Sequence, residues 1–172
     1  MRILTIALLA ISFCAVGQEV KIEFDKKHDF SKYKTFSFGE SKVVTSSEQK
    51  TVSDATVDKW IRNGVARELQ FKGLKKVDSA GADLVVSYAI VSIPRLDVQP
   101  IGPAGGTPGS NDRTWSRNYT ETNLIVDLNN RSNFLVWRVS GLADVVGRDA
   151  ERSIDQIIER GFKKYGRGIK RK

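Results

Sequence analysis

The sequence predicts an α+β domain, a two-layer fold with about five strands in a mainly antiparallel sheet and two helices packed on one face. Three observations carry that prediction. Residues 53–72 and 149–162 repeat apolar side chains at helical spacing. Several other short stretches have the alternation, or the β-branched and aromatic content, of strands. Their order is strand, strand, helix, three strands, helix, without the regular alternation of a doubly wound parallel sheet. The length agrees, because 172 residues with 40 % hydrophobic content are enough for one core and no more.

Residues 1–17 stand outside that core. MRILTIALLAISFCAVG has one early cation at Arg2, an apolar run from Ile3 to Phe13, and small residues at Ala15 and Gly17. This is the pattern of a signal peptide cleaved before Gln18, with a run too short for a stable anchor. The alternative is lipidation at Cys14, although Phe13 is large where bacterial lipoprotein signals carry a small residue. The expected destination is the periplasm or cell envelope, lipid-anchored if Cys14 is modified. Cleavage removes the only cysteine, and with it any disulfide, thiolate nucleophile or Cys-based metal site.

Residues 18–165 form the expected domain. Val20 to Phe24 alternates apolar and charged residues and reads as a strand. Phe30 and Tyr33 suggest a small apolar turn, and Lys34 to Phe38 a second strand. His28, the only histidine, reads as a solvated linker residue with no partners spaced for a metal. Residues 39–52 read as loop. Ser53 and Asp54 begin the first helix, with Val57, Trp60, Ile61, Gly64, Val65 and Leu69 on one stripe and Gly73 as its stop. Asp83 to Val91 is apolar on both faces, as a central strand would be, and Pro94 is expected to end it. Residues 95–118 are rich in Gly and Pro and read as a long loop.

Tyr119 to Leu142 reads as an apolar hairpin turning at Asn129 to Asn133. A tight turn would set Val126 opposite Trp137. Leu124, Val126, Leu128, Leu135, Trp137 and Val139 would then face the helices. Ile125, Asp127, Phe134, Val136 and Arg138 would face away, with Asp127 reaching Arg138 diagonally. The last helix carries Ile154, Ile157, Ile158, Gly161 and Phe162 on one stripe. Residues 166–172 form a basic tail.

Three stretches carry a resemblance. DFSKYKTFSF (Asp29 to Phe38), ADLVV (Ala82 to Val86) and TNLIVDLNNRSNFLVWR (Thr122 to Arg138) resemble the bacterial family known as domain of unknown function 4136. The resemblance spans nearly the whole mature chain. It implies an exported protein, often a lipoprotein, and brings no known activity or catalytic residue. Val139 stands where that family's pattern has a glycine after the Trp-Arg pair, and Asn123 where it has a glycine or small residue.

A formal charge of +8 in an exported chain suggests anionic partners in the envelope rather than nucleic acid. The favoured reading is a non-enzymatic envelope protein that binds an envelope protein or an anionic surface, with peripheral membrane contact. The expected contact residues are Arg113, Trp115 and Arg117 in the loop and Lys170, Arg171 and Lys172 in the tail. No nucleophile–base pair, cofactor motif or metal cluster is visible. The Gly-rich run lacks a Gly-Lys-Ser/Thr ending and enters a strand, so it is not a nucleotide loop. Two alternatives stand beside this reading. One is a small-ligand carrier using the sheet face under residues 95–118. The other is a hydrolase using carboxylates such as Asp83, Glu121 or Asp127.

Overall fold

The computed structural model describes residues 19–26, 28–44, 52–78, 81–101, 113–145 and 148–166. Among them the chain forms β1 (Val20–Phe24), a 3-10 turn (Phe30–Lys32), β2 (Thr35–Val44), α1 (Asp54–Phe71), β3 (Lys75–Lys76), β4 (Leu84–Ile101), β5 (Arg113–Asn130), β6 (Leu135–Leu142) and α2 (Ala150–Phe162). Two α-helices and one mixed sheet make the α+β class plain. The sheet is larger than expected, with six strands ordered β1-β6-β5-β4-β2-β3 among the described residues. It is also not mainly antiparallel throughout, because β2 runs parallel to β4 and to β3. The cause is α1. A helical crossover carries the chain back to the end of the sheet where β2 began, so the next strand points the same way.

Both helices lie where the sequence placed them. Thr56 N donates to Ser53 Oγ at 3.2 Å, and Gly73 ends α1 with φ +87°. Val57, Ile61, Gly64, Val65 and Leu69 are buried, whereas Trp60 is only half-buried at the rim of the stripe. The helices bury their stripes with Leu84, Val86 and Ile90 of β4 and Leu124, Val126 and Leu128 of β5 in one core. The alternate residues Val85, Ser87, Ala89, Ile125 and Asp127 lie on the other face and are half-buried. α2 approaches β6 so closely that a Cβ at Gly161 would fall 2.2 Å from Val139 Cγ1.

The β5–β6 hairpin exists in a different register. Leu128 pairs with Trp137, and Val126 with Val139. A bulge between Leu128 and Asn129 leaves Val136 without a partner on β5. Val136 and Trp137 are therefore both buried, while Leu135 is 42 % exposed. The expected inward Leu135 and outward Val136 have exchanged places because one extra residue inverts the alternation beyond it. Asp127 and Arg138 are directly opposite rather than diagonal. The turn closes through Asn130, whose Oδ1 accepts from Ser132 N at 2.9 Å and Phe134 N at 3.0 Å. Asn133 takes φ +59°, a conformation Asn tolerates well.

Two further expectations fail at the other end of the sheet. Residues 39–44 continue β2 instead of forming loop, across a bulge between Phe38 and Ser41 that breaks their alternation. Pro94 does not end β4. Residues 95–101 and 113–118 are not loop either, because β4 and β5 pair continuously out to Ile101 and Arg113. The reason is positional. Among the described residues β2 pairs with β4 only as far as Val44 and Val91, so from Ser92 onward β4 is an edge strand there, where proline costs no ladder bond if its missing N–H faces outward. Residues 102–112 lie outside the described residues.

Candidate functional site

One end of the molecule is built by the DFSKYKT segment. Asp29 caps the 3-10 turn, accepting from Ser31 N at 3.0 Å. Tyr33 turns inward to 7 % exposure and meets His28 Nε2 at 2.6 Å, with the two rings stacked. The histidine is thus held against the domain, not loose in a linker. Thr35 locks the segment to the start of β4. Its N–H and hydroxyl both donate to Asp83 Oδ2, and its Oγ1 accepts from Asp83 N, all within 3.0 Å. Lys34 N donates to the same carboxylate at 2.9 Å, and Arg131 from the hairpin turn reaches Asp83 Oδ1 at 3.2 Å. The Lys34 amide first, then the Thr35 bonds and the Arg131 charge, hold the Asp83 carboxyl below its ordinary range against a smaller push from burial. Three distant segments therefore converge on one carboxylate, a structural role for the residue weighed as an acid catalyst.

The C-terminal ends of α1 and α2 arrive at the same end. Lys72 Nζ donates to Lys163 O at 3.3 Å, and Lys75 N donates to Lys34 O at 2.8 Å. Between these segments lies a cleft of about 290 Å³ lined by Phe30, Ser31, Tyr33, Lys34, Lys72, Leu74, Tyr165 and Gly166 among others. A second hollow of about 230 Å³ lies beside it, between Lys32, Tyr33, Asp83 and Arg131. Lys32, Lys34, Lys72, Lys75, Lys76, Lys163 and Lys164 surround this pole, and none is ion-paired to another described residue. Part of the clustering is helix chemistry, since cations complement the carbonyl ends of α1 and α2. Asp29 places one negative charge at this end, accepting from Ser31, and the charge of Asp83 is paired with Arg131. The cleft backs onto Phe30, Trp137 and Tyr165, whose ring centroids lie 5.3–5.7 Å apart. Burial pushes the Tyr165 hydroxyl well above its ordinary range, and neither it nor Trp137 Nε1 has a hydrogen-bond partner among the described residues.

The opposite end of the sheet carries an arm. Past Val91 and Asn123 the ten residue pairs from Ser92–Thr122 to Ile101–Arg113 have no third strand beside them among the described residues. The ribbon is roughly 30 Å long at the usual strand rise. It exposes Leu96 at 63 % and Val98 at 52 %. Arg95 Nε reaches Glu121 Oε2 at 2.9 Å.

Between these ends, under α1, Asp58 gathers a polar network that sequence reasoning missed. Its carboxylate accepts from the Tyr88 hydroxyl and from Arg62 Nε at 2.8 Å, and Ser41 Oγ lies within 3.3 Å. The Arg62 guanidinium lies over the Phe38 and Tyr88 rings. Burial raises the Asp58 carboxyl, but the Tyr88 and Arg62 contacts outweigh it and the net shift is downward. Burial first, and then Asp58, push Tyr88 up to about 12. The only signal in the sequence was the i,i+4 spacing of Asp58 and Arg62.

The residues singled out from sequence are scattered. Arg117 is exposed on the arm. Arg113 and Trp115 occupy β5 positions opposite Ile101 and Gln99, and their side chains lie outside the described residues, as do Cys14, Lys170, Arg171 and Lys172. The carboxylates of Asp83, Asp127 and Glu121 do not converge. Asp127 and Glu121 pair with β4 at Ser87 and Ile93, so the three stand roughly 13 Å or more apart along the sheet. Each has a cation, Asp127 through two bonds of 2.6 and 2.7 Å from Arg138. Among the described residues no group of three or more acidic, His or Cys side chains is placed to hold a metal.

This fold, an open mixed sheet with two helices on one face, is one that solved bacterial structures share. A DUF4136 family protein from Bacteroides thetaiotaomicron superposes with TM-score 0.54 at 15% identity, over 86% of this chain and 95% of that one. Weaker likenesses are a PDZ domain protein from Parabacteroides distasonis (TM-score 0.46, 15% identity, 87% of this chain and 36% of that one) and the PelC dodecamer from Paraburkholderia phytofirmans (TM-score 0.45, 13% identity, 83% and 95%). No curated protein matches the chain. The sequence matches the family model of a domain of unknown function, DUF4136, over residues 20–165, and the chain belongs to that family.

Proposed function

We propose that this is an exported, non-enzymatic envelope protein whose lysine-rich pole docks on an anionic surface. The observation that supports it is the gathering of lysines at one end of the molecule: Lys34 and Lys72 line the cleft and Lys32 the hollow beside it, Lys75 and Lys76 pair with the start of β2, and Lys163 and Lys164 follow the end of α2, where the chain passes Gly166 into its basic tail. A surface of phosphate headgroups meets such a pole as a field rather than as a fitted ligand, so binding is weak, broad and salt-sensitive. Residues 95–101 and 113–118, which the carrier alternative places over the sheet face, continue β4 and β5.

The test is sedimentation with vesicles of phosphatidylglycerol and, as control, phosphatidylcholine. Each lysine near an anionic surface contributes about 1 kcal/mol, so the triple change Lys72→Gln, Lys75→Gln, Lys76→Gln is expected to weaken binding about 100-fold. Deleting residues 166–172 is expected to weaken it separately. No binding at low salt, or equal binding by the triple variant, refutes the reading. Mass spectrometry of the mature protein checks export, with an N-terminus at Gln18 expected for a cleaved leader and a lipid on Cys14 for the anchored form.

A further inference from the structure

The two edges of the arm differ in backbone chemistry. Alternate residues of a strand direct their N–H and C=O groups to opposite edges. Pro94 and Pro100 both lie in the arm part of β4, six residues apart and so in the same phase. Lacking an N–H, they fit the phase that points away from β5, which assigns the odd-numbered arm residues of β4 to the β5 ladder. Their partners on β5, which are also odd-numbered, then bond inward, and the even-numbered ones point outward. The bond from Ala143 N to Thr122 O at 2.8 Å confirms this phase independently. The outer edge of β4 is therefore blunted by two prolines, a common protection of exposed strands. The outer edge of β5 carries no proline between Arg113 and Thr122. Beside it β6 ends at Leu142, opposite Asn123, so among the described residues the backbone positions 114, 116, 118 and 120 offer a ladder with no neighbour, in line with the sheet.

We propose that the partner for this edge is a second copy of the same edge. Two β5 arms related by a two-fold axis at Arg117 run antiparallel, with residue 116 opposite residue 118 of the other copy and residue 114 opposite residue 120. All four free positions then fall in hydrogen-bonding phase, and they complete about eight backbone bonds. The same register brings the two Arg117 residues together at the axis, where each also lies opposite its own Asp97. An isolated two-stranded ribbon is marginal in water, and pairing makes it a four-stranded sheet. An isologous contact of this kind closes at two copies and leaves no further open edge of the same type.

The experiment is sedimentation velocity on the folded, leader-free chain. The parent is expected to be a dimer. Ser116→Pro removes one outward N–H, as Pro94 does naturally on β4, and is expected to give a monomer with unchanged circular dichroism. Val98→Pro removes an even-numbered N–H from the blunted edge and is expected to leave the dimer intact. Arg117→Cys in the leader-free chain, which carries no other cysteine, places two thiols at the axis, in a non-hydrogen-bonded pair where Cβ atoms come close. It is expected to form a disulfide-linked dimer on mild oxidation. A monomeric parent, an assembly that survives Ser116→Pro, equal disruption by both proline variants, or no cross-link from Arg117→Cys overturns the proposal.

Discussion

Gly161→Ala tests how α2 is held on the sheet. An added Cβ would lie 2.2, 2.6 and 2.9 Å from three atoms of Val139. Val139 is fully buried in β6, it is β-branched with little rotamer freedom, and its strand is paired on both sides. It has nowhere to go, so α2 must lift or Val139 must strain. Overpacking of this severity belongs near the top of the usual range of about 1–3 kcal/mol. Alanine returns about 1 kcal/mol of helix propensity over glycine. The net expectation is a loss of about 2 kcal/mol by urea denaturation, or roughly a 4–8 °C fall in melting temperature at this chain length. The decisive measurement is the cycle with Val139→Ala, which makes room for the methyl. In that background Gly161→Ala is expected to be neutral or stabilising, a coupling of about 2–3 kcal/mol. A stabilised single variant, or coupling near zero, refutes the close-approach argument.

Two further predictions concern the polar networks. The Asp83 carboxyl is depressed below its ordinary value near 3.8, so its contribution is fully present above that pH and lost as pH falls through the lower folded value. Asp83→Asn is expected to flatten the acid limb of the stability profile and to cost about 1–3 kcal/mol at neutral pH; an unchanged acid limb counts against the anchor. Tyr88 is shifted the other way, to about 12. The folded state keeps its proton, so stability is expected to decline as pH rises from about 10 toward 12. Tyr88→Phe should lose that alkaline limb and about 1–2 kcal/mol of stability, as followed by denaturant titration at several pH values; a wild-type alkaline slope in the variant contradicts it.

The helices were legible because their signals are local. The Ser53 cap, the apolar stripes and the Gly73 stop all lie within a turn or two of what they control. The sheet was less legible because its signals depend on distant partners. Nothing near Leu135 announces that Val136 will be extruded as a bulge, and one such residue inverts every side chain beyond it. The composition of residues 95–118 argues for loop, yet Pro94 and Pro100 share a phase that only an edge strand explains. The DFSKYKT segment was recognisable as a motif, but its reason is Asp83, 48 positions after Thr35 in the sequence. The lysine pole was invisible for the same cause. Its members come from four stretches far apart in the sequence, around residues 32–34, 72, 75–76 and 163–164.

The pole and the arm lie at opposite ends of β4, and this makes their combination testable as a unit. From Leu84, beside the pole, to Asp97, opposite the proposed axis, is thirteen residues, or roughly 43 Å at the usual rise. A dimer paired through β5 would therefore hold its two poles roughly 85 Å apart and pointing away from each other. Two such poles cannot both lie flat on one membrane, but they can reach two. The dimer is thus expected to cluster phosphatidylglycerol vesicles, seen as a rise in light scattering that salt reverses. Ser116→Pro should still bind the vesicles through its single pole, without clustering them. The triple lysine variant should still dimerise and do neither. Clustering by Ser116→Pro equal to that of the parent would show that the arm does not set the geometry. Binding without clustering by a proven dimer would place both poles on one side and break the antiparallel register.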